Sequence, residues 1–181
     1  RRYPISENLR QNTMISQNEI QSLIATLNGN QWIIDKQTEG LSHDQSMVTP
    51  PFRANRMNWV LGHIAEHRDW MLRAIDETTL MPAKEVDIYR RGSEELQAED
   101  EVAQLEILLT CLRRSKDCLV TVLDSATVDF LSEKPQHGVL FESLKEKTRM
   151  ERLQGLIWHE TYHVGQLELL RQLAGTNDAI L

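Results

Sequence analysis

Histidine is the residue type whose spacing in this chain points most directly to chemistry. His159 and His163 are four residues apart, so in a helix their side chains lie one turn apart on the same face. Two imidazoles at this spacing can reach one metal ion at about 2.0–2.1 Å each. A pair on a solvated face is the plainer alternative, but the neighbouring Leu156, Leu167 and Leu170 favour an inward direction.

A third histidine, His63, lies in another apolar segment. In a helix it shares a face with Trp59, Val60 and Trp70, and we therefore expect it to point into the protein. Three imidazoles from two helices leave coordination positions open, which is typical of reactive metal sites rather than structural ones. A metal-free core with buried histidines is the alternative, although two imidazoles without partners would be costly to bury.

Four further residues near these histidines are candidates for catalysis or support. Glu66 could orient a ligand histidine or act as a base for metal-activated water. His67 follows His63 by one turn, and we interpret it as a residue at the rim of the site or behind a ligand, with ligation of the metal or a role as the base as the alternatives. Tyr162 and Gln166 flank the pair in the last helix and could position a substrate.

The remaining composition predicts an ordinary cytoplasmic protein. The chain has 181 residues, which suits a single domain over residues 1–181. With 20 basic and 27 acidic residues, it lacks the charge that a nucleic-acid-binding face requires. No secretory signal or membrane span is apparent.

The two cysteines and two further histidines are not assigned to the site. Cys111 and Cys118 are too far apart in one helix for a disulfide, and His43 and His137 are interpreted as surface residues.

The periodicity of apolar residues is helical and predicts an all-α fold, a four-helix bundle with long connections. Ser6 and Ser93 are predicted N-caps, residues 28–30 (Asn-Gly-Asn) a helix stop, and Gly175 a residue just after a helix. The polar residues 36–53 form a long connection. The four predicted helices are Ser6–Leu27, Ala54–Thr78, Ser93–Leu123 and Lys147–Ala174.

At two of these motifs the chain resembles the DinB-like (DinB/YfiT) superfamily of bacterial metal-binding four-helix bundles. The resemblance extends over roughly residues 8 to 174, and the order and separation of the helices agree. The motifs are Asn58-Trp59-Val60-Leu61-Gly62-His63-Ile64 and His159-Glu160-Thr161-Tyr162-His163-Val164-Gly165-Gln166-Leu167.

This resemblance implies a divalent ion, zinc, nickel or iron, held by His63, His159 and His163. His67 is not part of the family pattern. The resemblance also implies a homodimer. From characterised relatives it implies a transferase that uses a low-molecular-weight thiol, such as bacillithiol or mycothiol, on an electrophilic small molecule. A metal-dependent hydrolase and a non-enzymatic metal-binding stress-response protein are the alternatives, because the fold does not determine the reaction.

Overall fold

Helices make up the regular secondary structure of the part of the chain that the computed structural model describes, residues 16–82, 84–94, 96, 100–136 and 142–176. Two 3₁₀ turns, Asp87–Tyr89 and Glu142–Leu144, accompany the α-helices. The predicted all-α class is confirmed for these residues, and none of their helices has the length and apolar character needed to span a membrane. The α-helices are α1 (Gln17–Thr38), α2 (His43–Ser46), α3 (Met57–Ala74), α4 (Leu105–Ser125), α5 (Val128–Ser132), α6 (Arg149–Val164) and α7 (Leu167–Leu173).

The four long helices, α1, α3, α4 and α6, each pack against two others. Both α1 and α3 contact α4 and α6. Their apolar residues form two separate clusters, one toward each end of the helices. The first cluster includes Ile34, Leu61, Leu108 and Val164, and the second includes Leu27, Leu72, Leu119 and Ile157.

Between the two apolar clusters, every long helix contributes buried polar side chains, which we call the polar layer. Its members are Asn30 and Gln31 of α1, His63, Glu66, His67 and Arg68 of α3, Ser115 of α4, and Glu160 and His163 of α6. Buried polar groups are costly unless they are paired. The positions of the four helices are therefore constrained by the partners that this layer requires.

Arg68 is the centre of the polar layer and has no exposed surface. Its Nε and Nη2 donate to the two carboxylate oxygens of Glu160 at 2.9 and 2.8 Å, and its Nη1 donates to Gln31 Oε1 at 2.6 Å. The same Nη1 also donates to the carbonyl of Leu112. One guanidinium thus joins α3 to α6, α1 and α4.

The first helix differs from its predicted bounds. The predicted start at Ser6 lies outside the described residues, and the described helix follows Ser16, which forms a capping box with Glu19. The predicted stop at residues 28–30 is wrong, because α1 continues to Thr38. Asn30 Nδ2 donates to Glu160 Oε1 at 3.1 Å, and this buried contact outweighs the local preference of Asn and Gly for a helix end.

The predicted helix start at Ser93 is also wrong. The helix α4 begins at Leu105, and Ser93 lies in the connection before it, where its Oγ accepts a hydrogen bond from Trp59 Nε1 at 3.0 Å. His43, interpreted as a surface residue, is half-buried, and its Nδ1 accepts from the backbone N–H of Leu105 at 3.2 Å. A side chain distant in sequence therefore supplies the hydrogen-bond acceptor for a backbone N–H in the first turn of α4.

The last predicted helix is interrupted once. The chain leaves α6 at Val164, turns at Gly165 and Gln166, and resumes as α7 at Leu167. The Gln166 N–H bonds to the carbonyl of His163, three residues back, at 3.0 Å, which marks the tighter turn. The predicted role of Gly175 is confirmed, since it follows α7 with a φ of 91°.

We predict that Glu160→Gln lowers the free energy of unfolding by about 3–5 kcal/mol, because it leaves the buried Arg68 charge without a counter-charge. The matched control is Glu39→Gln, which removes an exposed partner of Lys36 and should change stability by less than about 1 kcal/mol. Urea unfolding of both variants measures the difference. Equal effects would contradict the role assigned to the polar layer.

Candidate metal centre

Four histidines meet in the polar layer, two from α3 and two from α6. His63, His67 and His163 are buried, and His159 is half-buried. The ring centroids of His67 and His159 are 4.1 Å apart, and those of His63 and His163 are 4.8 Å apart. The structure therefore brings together all three sequence-predicted metal residues and adds a fourth histidine, His67, that the sequence placed at the rim.

The nitrogen atoms of this cluster have spacings that suit one ion. Nε2 of His159 and Nε2 of His163 are 3.3 Å apart. Two nitrogens bound tetrahedrally to one ion at 2.0–2.1 Å would be about 3.4 Å apart. One ligand atom from each of His63, His67 and His159 also lies within 4.8 Å of the other two, a group to which His163 does not belong. His163 is joined to this group through the contact of its Nε2 with His159.

Carbonyl oxygens determine the protonation of two of the rings. His63 Nδ1 lies 2.7 Å from the main-chain carbonyl of Tyr89, and His163 Nδ1 lies 2.8 Å from Gln166 Oε1. A carbonyl oxygen can only accept a hydrogen bond, so each Nδ1 carries the proton and donates it. The lone pair of each neutral ring is then on Nε2. Histidine ligands of metal ions are held in this way in proteins.

His67 has the same arrangement on its own side of the cluster. Its Nδ1 lies 3.0 Å from the carbonyl of His63 and 3.0 Å from Glu66 Oε2, so one proton faces two acceptors. Its Nε2 is buried and has no hydrogen-bond partner. The ring is parallel to that of His159, with an interplanar angle of 14°. The predicted rim position is thereby corrected to a buried one.

Burial keeps the imidazoles of His63, His159 and His163 neutral. Loss of hydration, followed by the nearby charge of His67, lowers the pKa of His63 to about 3. The same two causes lower the pKa of His159 to about 4, and burial lowers that of His163. At neutral pH the lone pairs are therefore free of protons. Together with the unpartnered Nε2 of His67, this donor set fits a divalent metal ion.

The connection between α3 and α4 positions His63. The Tyr89 hydroxyl donates to Asn58 Oδ1 at 2.9 Å and accepts from the N–H of Ala103 at 3.0 Å. The Tyr89 ring lies against Gly62, where an added Cβ would come within 2.2 Å of it. The lack of a side chain at Gly62 thus allows Tyr89 to lie on α3 and present its carbonyl to His63.

The predicted catalytic candidates occupy different positions around the histidines. Glu66 is buried, and its Oε1 accepts from Trp70 Nε1 at 2.7 Å. Burial alone would raise the pKa of Glu66, but the hydrogen bond and charge of His67 and the hydrogen bond of Trp70 lower it overall. Gln166 holds His163, and Tyr162 is exposed with its ring 5.1 Å from the His163 ring.

A cavity of about 160 Å³ adjoins Glu66 and Trp70. Carboxylates and guanidinium groups both border it, so it suits a small polar molecule. Its other lining residues are Asp69, Arg73, Thr79, Met81, Val86 and Arg90. Neither cysteine lines the cavity. Burial raises the pKa of Cys111, whose thiol donates to the Leu80 carbonyl at 3.5 Å. His137 lies outside the described residues.

Comparison with known proteins shows a likeness in fold. A solved structure, described as that of the conserved protein of locus from Enterococcus faecalis, matches with a TM-score of 0.63 and 19% sequence identity. The match covers 86% of this chain and 97% of that chain. At this identity the likeness shows the fold alone. No protein-family model and no curated protein matches the chain.

We predict that Gly62→Ala lowers the free energy of unfolding by about 1–3 kcal/mol, because the new methyl group displaces the buried Tyr89 ring. It should also weaken metal binding on the order of 10–100-fold, since His63 loses its acceptor. The control is Gly155→Ala in α6, where the methyl meets open space and should stabilise by about 0.5–1 kcal/mol. Unaltered metal affinity in Gly62→Ala would contradict the role of Tyr89.

We also predict that the metal-free protein loses stability as the pH falls from about 6.5 to about 4. In this window the unfolded chain protonates its histidines, whereas His63 and His159, with pKa values of about 3 and 4, stay neutral in the folded state. The unfolded state therefore binds more protons, and the free energy of unfolding decreases. In urea titrations, His63→Gln should show a smaller decrease than the wild type. An identical pH slope would contradict the assignment.

Proposed function

We propose that this protein is a DinB-like four-helix bundle that binds one divalent metal ion, zinc, nickel or iron, on His63, His159 and His163. We further propose that it is an enzyme that transfers a low-molecular-weight thiol to an electrophilic small molecule. The packing of α1, α3, α4 and α6 and the two motifs of the family resemblance support the first part. The second part rests on the resemblance together with the chemistry of the donor set.

The observation that carries the proposal is the convergence of neutral imidazoles whose Nδ1 protons are already directed elsewhere. Tyr89 and Gln166 accept the protons of His63 and His163, so the lone pairs of these two neutral rings are on Nε2, and the Nε2 of His163 lies 3.3 Å from that of His159. Neutral ligands leave the full positive charge of the ion available. Such an ion acts as a Lewis acid and favours the thiolate form of a thiol near neutral pH.

The residues of the chain would orient the site and leave one side of it open. His159 is half-buried and Tyr162 is 61% exposed, so the α6 side of the cluster is the accessible one. In the transfer, the thiol proton passes to solvent and the thiolate sulfur attacks an electrophilic carbon. The new C–S bond forms while the bond from that carbon to its leaving group breaks, and the leaving group departs with the bonding electrons.

Hydrolysis with Glu66 as the base is the second candidate, and the geometry favours it less. Glu66 is buried and held beside His67: its Oε1 accepts from Trp70 Nε1 at 2.7 Å, and its Oε2, which has no hydrogen bond of its own, lies 3.0 Å from His67 Nδ1. A carboxylate held in this way orients a histidine rather than collecting a proton from water. Turnover of an ester or amide without any thiol would favour the hydrolase.

We predict about one divalent ion per chain in wild-type protein purified without an affinity tag or chelator, and its loss in His159→Ala. Elemental analysis of both proteins measures the ion. Thiol conjugation, assayed against a panel of electrophiles, should disappear with the ion and return when the metal is added back to the wild type. The control is His43→Asn, which lies outside the cluster and keeps an acceptor for the Leu105 N–H.

Two outcomes would contradict this proposal. If the wild-type protein takes up neither zinc, nickel nor iron, the proposed metal site is contradicted. If metal-free protein conjugates thiols at the full rate, the proposal that the reaction depends on the ion is contradicted. The proposed homodimer is tested separately, by the mass of the particle in sedimentation equilibrium.

A further inference from the structure

We infer that His67 is a fourth ligand of the metal ion, so that an ion accepting five or six ligands, nickel(II) or iron(II), would keep open positions that four-coordinate zinc would lack. The inference rests on the metal site of the proposed function and is independent of the reaction. The family pattern does not include His67, and only the contacts of this chain assign it the role.

The first observation is an unpartnered atom. His67 is 1% exposed, and its Nε2 is buried without a hydrogen-bond partner. Burying an imidazole nitrogen without a hydrogen-bond partner costs free energy unless another group, such as a metal ion, binds its lone pair. His67 also lies within the geometric group of potential ligands, where its nitrogen is within 4.8 Å of those of His63 and His159.

The second observation is the pair of acceptors behind the ring, one of which is a carboxylate held by Trp70. Trp70 Nε1 donates to Glu66 Oε1 at 2.7 Å, and Glu66 Oε2 lies 3.0 Å from His67 Nδ1. The carbonyl of His63 faces the same Nδ1 at 3.0 Å. A carboxylate behind a histidine is the arrangement that orients metal ligands and makes them more basic. The buried Glu66 also places a negative charge close to the ion.

The contrast with His43 shows that this arrangement is not general in the chain. His43 Nδ1 accepts a hydrogen bond from the Leu105 N–H, so its lone pair is used by the backbone. In His67 the Nδ1 carries the proton, because both of its neighbours are acceptors. The lone pair of the neutral ring is therefore on Nε2, the nitrogen that has no hydrogen-bond partner.

A fourth imidazole changes which ion keeps room for a substrate. Zinc in proteins is usually four-coordinate, so four histidines would complete its shell. Nickel(II) and iron(II) accept further ligands, and one or two positions then stay open for a thiol or water. Two ligands of one ion can be at most about 4.2 Å apart at these bond lengths. The ligand atoms of His63, His67 and His159, which lie within 4.8 Å of one another, therefore need to approach by about 0.6 Å at most.

The test uses full-length protein stripped of metal by dialysis and then titrated with nickel(II), zinc(II) or cobalt(II). In His67→Ala we expect nickel binding to weaken on the order of 100-fold, as measured by competition with a chelator of known affinity. The cobalt(II) form should change from the weak visible absorption of a five- or six-coordinate ion to the strong absorption of a tetrahedral one. His43→Asn is the matched control and should match the wild type in both measurements.

A second readout avoids substitution altogether. In the cobalt(II)- or nickel(II)-loaded wild type, each ligand imidazole gives one strongly shifted N–H proton signal in the NMR spectrum, which disappears in D₂O. Four such signals are expected. Three signals, with unchanged nickel affinity in His67→Ala and binding still lost in His159→Ala, would overturn the fourth ligand and leave the proposed function in place. Wild-type protein that binds none of the three ions would overturn both.

Discussion

The buried pairing of Arg68 with Glu160 is the interaction on which the rest of this structure depends. A guanidinium in an apolar interior is tolerated only where its charge and its donors are satisfied, and here three other helices supply the acceptors. Sliding one long helix by a single turn would bury these groups unpaired. The ion pair therefore determines the register of the helices, while the two apolar clusters on either side supply the greater part of the driving force.

The histidines take their positions from this register. His67 precedes Arg68 in α3, and His159 precedes Glu160 in α6, so the residues that pair across the interior are the direct neighbours of those that form the cluster. The same two helices are thus held together at the level where the imidazoles meet. Burial keeps the rings of His63, His159 and His163 neutral, and local acceptors bind the Nδ1 protons of His63, His67 and His163.

Local periodicity was sufficient to predict the helical class and the three histidines that the structure brings together. It was insufficient where a distant contact decides the outcome. Asn30 extends α1 because Glu160 needs a donor, and Ser93 is an acceptor for Trp59 rather than a helix cap. His67 was underestimated, although an acidic residue directly before a core histidine was a usable sign. Arg68 was missed, and an arginine within the apolar segment that carries His63 was the signal that could have revealed it.

The acceptors behind His63 and His67 have a consequence for how this site can change over evolutionary time. In both cases an acceptor is a main-chain carbonyl, of Tyr89 for one ring and of His63 for the other. No substitution deletes a carbonyl oxygen, so the orientation of these rings is encoded in the path of the backbone rather than in the identity of a side chain. Descendants of this chain could replace most residues around the cluster and still inherit the alignment, provided that position 62 stays small enough for the backbone to follow the same route.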